Sequence, residues 1–397
     1  MIGVLAMGYG RFQSLSPGGL VIDNMEIGSE RILIDARCRA AVPMCPACGQ
    51  KSDRVHSRYR RRLLDLPSHG RIVQLRIAVR RFRCSRADCP RQTFNEQLGE
   101  EVAGRSARRT SRLEVIVRHL GIALGGPPTA NLARRLMLPV SKDTLLRVVR
   151  RHAVSNTQPL RVVGIDDWAW KRGQRYGTIV CDLERRCIVD LLPDRETGTV
   201  EAWLAQHPEI AVISRDRGGG YGPAAARAAP QATQVADRWH LMENASAAFL
   251  EAVQRSMRSI RQARRRTQDP IRPDDQSSDD TRRDHLARPD AIIVAAVENA
   301  VPRLAAARDL TERFHEMLRA RAPDDLPSWI QDAAGSLLGS FGKGIAADRT
   351  AVGAALTESW SNAQTEGQIT RLKLVKRQMY GRAKLDLLRA RLLAPAY

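Results

Sequence analysis

Strand-like and helix-like segments alternate between residues 158 and 240, and this alternation limits the possible folds more than any other feature of the sequence. Three apolar segments separated by polar turns come first: LRVVGID, YGTIVCDLE and RCIVDLLPD. The helix-like segments TVEAWLAQHP and GPAAARAAP then each precede another strand-like segment, EIAVISRD and ATQVAD. Strands that alternate with helices in this way predict a mixed sheet.

Carboxylates follow two of these predicted strands. Asp166 and Asp167 end the run VVGIDD, and Asp216 ends VISRD. Open sheets bind ligands outside the carboxyl ends of their strands, where two carboxylates can share divalent cations about 4 Å apart. Such a pair of cations stabilises the attacking and leaving oxygens of a phosphoryl transfer. Taken residue by residue, a second interpretation stays open, in which each aspartate only ends a strand or forms a turn.

Four of the seven cysteines form two closely spaced pairs. Cys45 and Cys48 lie in CPAC, and Cys84 and Cys89 lie in CSRADC. Four thiolates at such spacings suit tetrahedral Zn²⁺, and a small β unit gains folding energy from the metal. We therefore predict one structural zinc ion, because four sulfur ligands leave no position open for water.

The other cysteines show no such pairing. Cys38, Cys181 and Cys187 are interpreted as small hydrophobic residues on strands. His56 and His69 are reserve zinc ligands. Because the sequence has no signal peptide and no apolar run of eighteen residues, we expect a chain that stays in a reducing compartment and does not span a membrane.

Basic residues exceed acidic ones by 64 to 43, and the formal net charge is +21 at pH 7. A polyanion is the expected partner, since each phosphate neutralised by Lys or Arg releases condensed counterions. The excess is concentrated near residues 54–118, 134–151 and 371–391, which favours binding surfaces over an evenly charged exterior. Nucleic acid is therefore a better candidate than an acidic membrane surface.

Helical periodicity begins after the basic joint GRSARRTSRLE, in LEVIVRHLGIAL, and continues in NLARRLMLPVSKDTLLRVVRRH. The second stretch predicts a helix, a tight turn and a second helix with Ser141 as its N-cap. Polar, proline-broken residues 262–290 predict a loop or disorder, and helical patterns resume after them. The exposed face of the helix that follows Ser141 would carry Lys142, Arg147, Arg150 and Arg151.

Four segments resemble, in order, the catalytic blocks of the DDE transposases of bacterial insertion sequences, and the ISL3 family most closely. They are GIDDWAWKRGQRYGTIVCDLE, VISRDRGGGY, VADRWHL and WSNAQTEGQITRLKLVKRQMYGRAKLDLL. That family also begins with a cysteine ribbon followed by a helix-turn-helix, so the resemblance covers residues 17–393. It implies a ribonuclease H-like fold in which Asp166, Asp216 and Glu366 bind two Mg²⁺ ions, for which Mn²⁺ would substitute. Asp166 rather than Asp167 matches the first acid of the family.

The resemblance also implies roles for other residues. Asp237 and His240 match a D-x-x-H signature whose expected role is to position the scissile phosphate. Contacts with double-stranded DNA are expected from the helix-turn-helix residues named above, from the basic joint (Arg105, Arg108, Arg109 and Arg112), and from a helix after Glu366 (Arg371, Lys373, Lys376, Arg377 and Arg382). The function implied is binding of the terminal inverted repeats, followed by metal-dependent cleavage and strand transfer. The alternative is a DNA-binding regulator on an inactive scaffold.

The predicted architecture is an α+β chain of several domains. An N-terminal β region with the zinc ribbon spans 1–100, and a helix-turn-helix domain spans 101–155. A ribonuclease H-like α/β core spans 156–250 and 351–397 and is interrupted by an all-α insertion at 251–350. Because two element ends must be joined, we expect a homodimer or larger assembly on DNA, in the bacterial cytoplasm and associated with the nucleoid.

Overall fold

The computed structural model describes residues 17–39, 42–152, 158–171, 173–267 and 288–394. The chain divides into two compact units. The first unit contains Met1–Ser155 and Lys373–Tyr397, and the second contains Asn156–Leu372. The segment predicted as the last part of the core, 351–397, is thus divided between the two units.

A mixed sheet begins the first unit. Its strands have the order β1-β2-β4-β3, with β5 paired to β4, and only the β2–β4 pair is parallel among them. Alternate residues of β4, including Leu75 and Ile77, are fully buried, as the two-residue period of a strand requires. The strands are β1 (Leu20–Ile27), β2 (Arg31–Cys38), β3 (Val55–Ser68), β4 (Arg71–Arg83) and β5 (Thr93–Asn95).

Helices complete the first unit. The N-cap of α1 is Thr110, and the predicted N-cap Ser141 is confirmed, since its side chain accepts a hydrogen bond from the Thr144 amide of α3. Arg391 is buried in the last helix and donates to the Ile122 and Ala123 carbonyls at the end of α1, each at 2.7 Å. This contact fixes the C-terminal segment in the first unit. The helices are α1 (Ser111–Leu124), α2 (Pro127–Arg135), α3 (Lys142–Arg151) and α14 (Leu385–Leu392).

The second unit is built on a mixed sheet, as the alternation of segments predicts. Its strand order is β10-β9-β6-β7-β8, in which β6, β9 and β10 are mutually parallel and β7 and β8 are antiparallel to their neighbours. The strands are β6 (Val162–Lys171), β7 (Arg175–Asp182), β8 (Cys187–Leu192), β9 (Val212–Arg215) and β10 (Thr233–Ala236). β6 runs past Asp166, beyond the predicted end of the strand, because it continues as a hairpin with β7.

Helices cover both faces of this sheet. Ile213 of β9 belongs to an apolar cluster with residues of α4 and α5, whereas its neighbour Val212 packs against a second cluster formed by α6 and the later helices. Successive strand residues point to opposite faces, so the two clusters lie on opposite sides. The helices are α4 (Thr197–Leu204), α5 (Tyr221–Ala228), α6 (Arg238–Arg255), α7 (Met257–Thr267), α8 (Arg288–Ala300), α9 (Pro302–Ala320), α10 (Leu326–Ala334), α11 (Gly339–Ala347), α12 (Arg349–Thr357) and α13 (Ala363–Gln378).

Two local predictions need correction. The tract predicted as loop or disorder is helical at both of its ends, because α7 extends to Thr267 and α8 begins at Arg288, and 268–287 lies outside the described residues. Arg382 was predicted to lie on a helix, but α13 ends at Gln378 and Gly381 follows with a positive φ of 68°. Tyr380 already has a positive φ of 55°, and this left-handed turn ends the helix before Arg382 is reached.

Candidate metal centres and basic surfaces

Three aspartates follow the paired parts of three neighbouring parallel strands. The β6–β9 pairing ends at Ile165 opposite Arg215, and the β9–β10 pairing ends at Arg215 opposite Ala236. The next residue of each strand is an aspartate: Asp166, Asp216 and Asp237. The sheet therefore places all three at one edge, which is where open sheets bind ligands.

Asp166 is the buried member of the Asp166–Asp167 pair. Burial raises its pKa to about 7; the Asp167 amide and the nearby His240 oppose this shift, while Asp167 and Asp216 add to it. Asp167 lies on the other face of the strand and forms an ion pair with Arg195 at 2.6 Å. A bound cation would lower this pKa, because it stabilises the charged form of the carboxyl.

Asp237 holds His240 in place. One carboxylate oxygen of Asp237 accepts from the Trp239 amide at 3.2 Å, as the N-cap of α6, and the other lies 2.7 Å from His240 Nδ1. This contact raises the pKa of His240 to about 9 against the opposing effect of burial, and Asp216 and Asp166 raise it further. The imidazole is therefore charged near neutral pH, with its orientation fixed by Asp237.

Glu366 reaches the same group from α13. Asn362 is fully buried just before this helix, and its side-chain amide donates to the Ile165 carbonyl at 3.1 Å. Thr365 is also fully buried, and Glu366 lies in the first turn of α13. The start of the helix is thus attached to β6 one residue before Asp166.

The side-chain ligand atoms of Asp237, His240 and Glu366 lie within 4.8 Å of one another. Asp166, Asp216 and Glu366, the predicted metal ligands, do not form a group that satisfies this limit among the described residues. Asp166 and Asp216 are nevertheless near enough to His240 to raise its pKa. The structure thus gathers the five predicted catalytic residues in one region, with the D-x-x-H pair closest to the glutamate.

Gly164 allows α13 to approach β6. A Cβ atom at this position would lie 2.2 Å from Thr365 Oγ1 and 2.6 Å from Asn362 Oδ1. Gly164, Asn362 and Thr365 were not predicted from the sequence as determinants of the site. The only local signal was the glycine inside an apolar strand, which is a common sign of close approach by another segment.

We expect Gly164→Ala to lower the free energy of unfolding by about 1–3 kcal/mol, the usual effect of overpacking. Displacement of Glu366 by even about 1 Å would also reduce metal-dependent DNA cleavage up to a hundredfold. Denaturant titration and cleavage assays measure the two effects. Gly353→Ala is the matched control, since nothing lies within 4 Å of its Cβ position; equal activity of the two variants would contradict this account.

Arg215 and Asp348 form a second contact that was not predicted from the sequence. The Arg215 guanidinium is buried and donates to both carboxylate oxygens of Asp348, at 2.8 and 3.1 Å. Arg217 lies 3.6 Å from the same carboxylate. Both residues next to Asp216 in the sequence are thus held by the segment between α11 and α12, which fixes the backbone that carries Asp216.

The four paired cysteines of the first unit meet at one point. Their sulfur atoms lie within 4.8 Å of one another; Cys45 and Cys89 are buried, and Cys48 and Cys84 are partly buried. Their backbone turns are closed by hydrogen bonds such as Gly49 N to the Cys45 carbonyl at 2.8 Å. This donor set fits tetrahedral Zn²⁺. Neither of the reserve ligands His56 and His69 belongs to the group.

A basic pocket of about 770 Å³ lies between the joint 104–112 and α3. The joint is fixed to β3, since Leu64 exchanges backbone hydrogen bonds with Arg108 and Thr110 at 3.0 and 2.9 Å. Five arginines predicted to bind DNA line this pocket: Arg105, Arg108, Arg109, Arg147 and Arg151. Arg118, which was not predicted, also lines it. Glu114 also lines it and pairs with Arg109 at 2.7 Å. Arginines dominate this surface, which suits a polyanion.

Some of the other predicted DNA-binding residues have partners within the protein. Arg112 forms a bidentate ion pair with buried Asp65, and Arg150 pairs with Asp386 at 2.6 Å. Lys142 is exposed at the start of α3. On and after α13, Lys376 is partly buried and the other predicted residues are exposed: Arg371, Lys373, Arg377 and Arg382. No helix among the described residues is long and apolar enough to cross a membrane.

The first unit carries a four-cysteine ribbon, and the second is an α/β sheet with acidic residues gathered at one edge. Residues 163–392 match the family of transposases named DDE ISL3, and residues 41–89 match the zinc finger of the transposases of IS204, IS1001, IS1096 and IS1165. The chain therefore belongs to the ISL3 family of transposases, which confirms the family predicted from its four sequence blocks.

The chain is similar to the transposase for insertion sequence element IS1001 of Bordetella parapertussis. The two are 26% identical over 243 residues. The match covers 57% of this chain and spans 57% of the length of that relative.

Proposed function

We propose that this chain is a DNA transposase that binds the terminal inverted repeats of an insertion sequence and catalyses metal-dependent DNA cleavage and strand transfer. The observation that carries the proposal is the arrangement of Asp166, Asp216 and Asp237 at one sheet edge, with Glu366 attached there by α13. The strand order β10-β9-β6-β7-β8 supports a ribonuclease H-like fold for the second unit. The helices α7 to α11 would form the predicted insertion at 251–350.

Asp166, Asp216 and Glu366 would hold the catalytic divalent ions, for which Mg²⁺ is the natural choice and Mn²⁺ a substitute. Carboxylate oxygens are the ligands that hard cations prefer. Two such ions would neutralise the phosphate charge, activate the attacking oxygen and stabilise the leaving oxygen. Asp166 is preferred to Asp167 because Arg195 already neutralises Asp167 on the other face of the strand.

His240, oriented by Asp237, would bind the scissile phosphate from the same side. Asp237 uses both of its oxygens on the Trp239 amide and on His240, so its role is to orient the imidazole. The charged imidazole is a donor for a phosphate oxygen. Its position beside Asp166 and Asp216 keeps that donor next to the carboxylates.

The first unit would bind the element ends. The helices α2 and α3 would act as a helix-turn-helix, and the basic pocket would contact the phosphate backbone without reading sequence. One zinc ion held by the four cysteines would stabilise the ribbon. Strand transfer joins two ends, so we propose that a homodimer or larger assembly forms on DNA.

The test uses the full chain and a duplex that carries the inverted repeats found beside its gene. We expect tight binding of the repeat and Mg²⁺-dependent nicking at its terminus. Removing Arg147 and Arg151 together should reduce the slope of log affinity against log salt by about two, because each phosphate contact contributes about 0.9.

The control for the basic pocket replaces Arg227 and Arg313, exposed arginines of the second unit that pair with Glu201 and Asp332. An unchanged salt dependence in the Arg147 and Arg151 variant would contradict the role of the pocket. Repeat binding without any nicking by the wild-type chain would favour the regulator. Nicking without preference for the repeats would indicate a less specific nuclease.

A further inference from the structure

Trp239 is the exposed tryptophan of this chain. All six tryptophans lie in the described residues; Trp168 and Trp329 are almost fully buried, whereas Trp239 is 51% exposed. A tryptophan side chain carries a large apolar surface that is normally covered by protein. About half of the Trp239 surface is left open beside the acidic edge of the sheet, where a ligand with an apolar face can cover it.

The position of the ring is fixed by the catalytic residues. The Trp239 amide donates to the same Asp237 carboxylate that holds His240. The indole meets the His240 ring edge to face, with ring centroids 4.9 Å apart. His240 in turn lies within 4.8 Å of Glu366. The exposed ring is thus held one residue away from the group proposed to bind the scissile phosphate.

We infer that Trp239 stacks on a nucleobase of the DNA strand next to the scissile phosphate. This inference rests on the proposed function, because it needs DNA at the acidic edge. Every base has a π face, so stacking on an aromatic side chain provides affinity without sequence preference. A base inside an intact duplex has both faces covered by its neighbours. The ring therefore binds a base that has left the stack, and it favours local opening of the duplex at the cleavage site.

Three tryptophans lie near the aspartates in the sequence, and they differ in how far they are buried. Trp168 is 1% exposed and packs against Trp170, whose ring also lies under the Arg175 guanidinium. These two rings belong to the packing of β6 and β7. Of these three tryptophans, Trp168 is buried, Trp170 is partly buried and Trp239 is exposed.

The experiment compares wild type with Trp239→Ala and Trp239→Phe on repeat-end duplexes. One duplex is fully paired, and the other carries a mismatch at the base beside the scissile phosphate. We expect Trp239→Ala to cleave the paired duplex about tenfold or more slowly, as loss of one stacked base predicts, and to recover most of this loss on the mismatch. Trp239→Phe should stay close to wild type. Leu250→Ala, on the same helix with a 57% exposed side chain, is the matched control.

A second measurement does not depend on cleavage. With 2-aminopurine beside the scissile phosphate and Ca²⁺ in place of Mg²⁺, stacking on Trp239 should quench the probe in wild type but not in Trp239→Ala. Equal fluorescence in both proteins, or an equal loss of cleavage on paired and mismatched DNA, would overturn the inference. A wild-type chain that quenches the probe yet never nicks DNA would contradict the proposed activity and leave the stacking role standing.

Discussion

Replacing Glu366 with glutamine is expected to reduce Mg²⁺-dependent nicking about a thousandfold and to leave repeat binding within about twofold of wild type. Charge stabilisation by bound metal contributes several kcal/mol to such a reaction, and each 1.36 kcal/mol corresponds to a factor of ten in rate. Glutamine keeps the size of the side chain and removes the charge that binds the cation. Nicking is measured on supercoiled plasmid carrying the repeat, and binding by titration of the duplex in Ca²⁺.

The matched control is Glu358→Gln, the same change at a partly buried glutamate that precedes α13. It should nick at the wild-type rate. If Glu366→Gln retained wild-type nicking, Glu366 would not be a metal ligand and the proposed catalytic group would be wrong. If the Glu366→Gln protein also lost repeat binding, its free energy of unfolding would show whether the variant is misfolded.

Removing zinc is expected to unfold the ribbon and to spare the sheet of the first unit. The core of the ribbon is small: buried Cys45, Cys89, Phe82 and Phe94 with the two partly buried cysteines around them. Structural zinc contributes about 10 kcal/mol or more in isolated fingers, which so few apolar contacts do not replace. The sheet keeps its own separate core of β1, β2, β3 and β4 residues. Hydrogen exchange should therefore rise at the Cys45, Gly49 and Cys84 amides while the part of β4 in the sheet core, Val73 to Val79, stays protected.

Cysteine variants test the zinc site directly. Cys89→Ser should lower the zinc content from about one ion per chain to nearly none, because three sulfur ligands hold a structural ion poorly. Cys187→Ser is the matched control, since this thiol lies outside the group and should keep the full zinc content. A Cys89→Ser protein with undiminished zinc and unchanged exchange would show that the ribbon is not a metal site.

Much of the acidic site could be predicted from local sequence. Alternating apolar segments located the strands, and Asp166 and Asp216 were predicted to be neighbours because each follows the parallel pairing of β6 and β9. The cysteine spacing located the ribbon for a similar reason, since the turn that holds each pair is a local structure. The family resemblance was needed to find Glu366.

The contacts that fix the site could not be predicted, because they join residues far apart in the sequence. Nothing near Gly164 indicates that Thr365 will pack against it, and nothing near Arg215 indicates Asp348 as its partner. The exposure of the tryptophans could not be predicted either. Trp168 and Trp239 each lie within two residues of an aspartate, yet Trp168 is buried in the core and Trp239 is exposed. Likewise, Arg112 belongs to a basic run but pairs with buried Asp65.

The most direct test of the central claim is the position of bound metal. We propose anomalous diffraction from crystals of the chain with repeat-end DNA and Mn²⁺. We expect two ions at the acidic edge of the second unit's sheet, with oxygens of Asp166, Asp216 and Glu366 as ligands and His240 directed at the phosphate. Manganese bound elsewhere, or an acidic edge that stays without metal beside bound DNA, would contradict this claim.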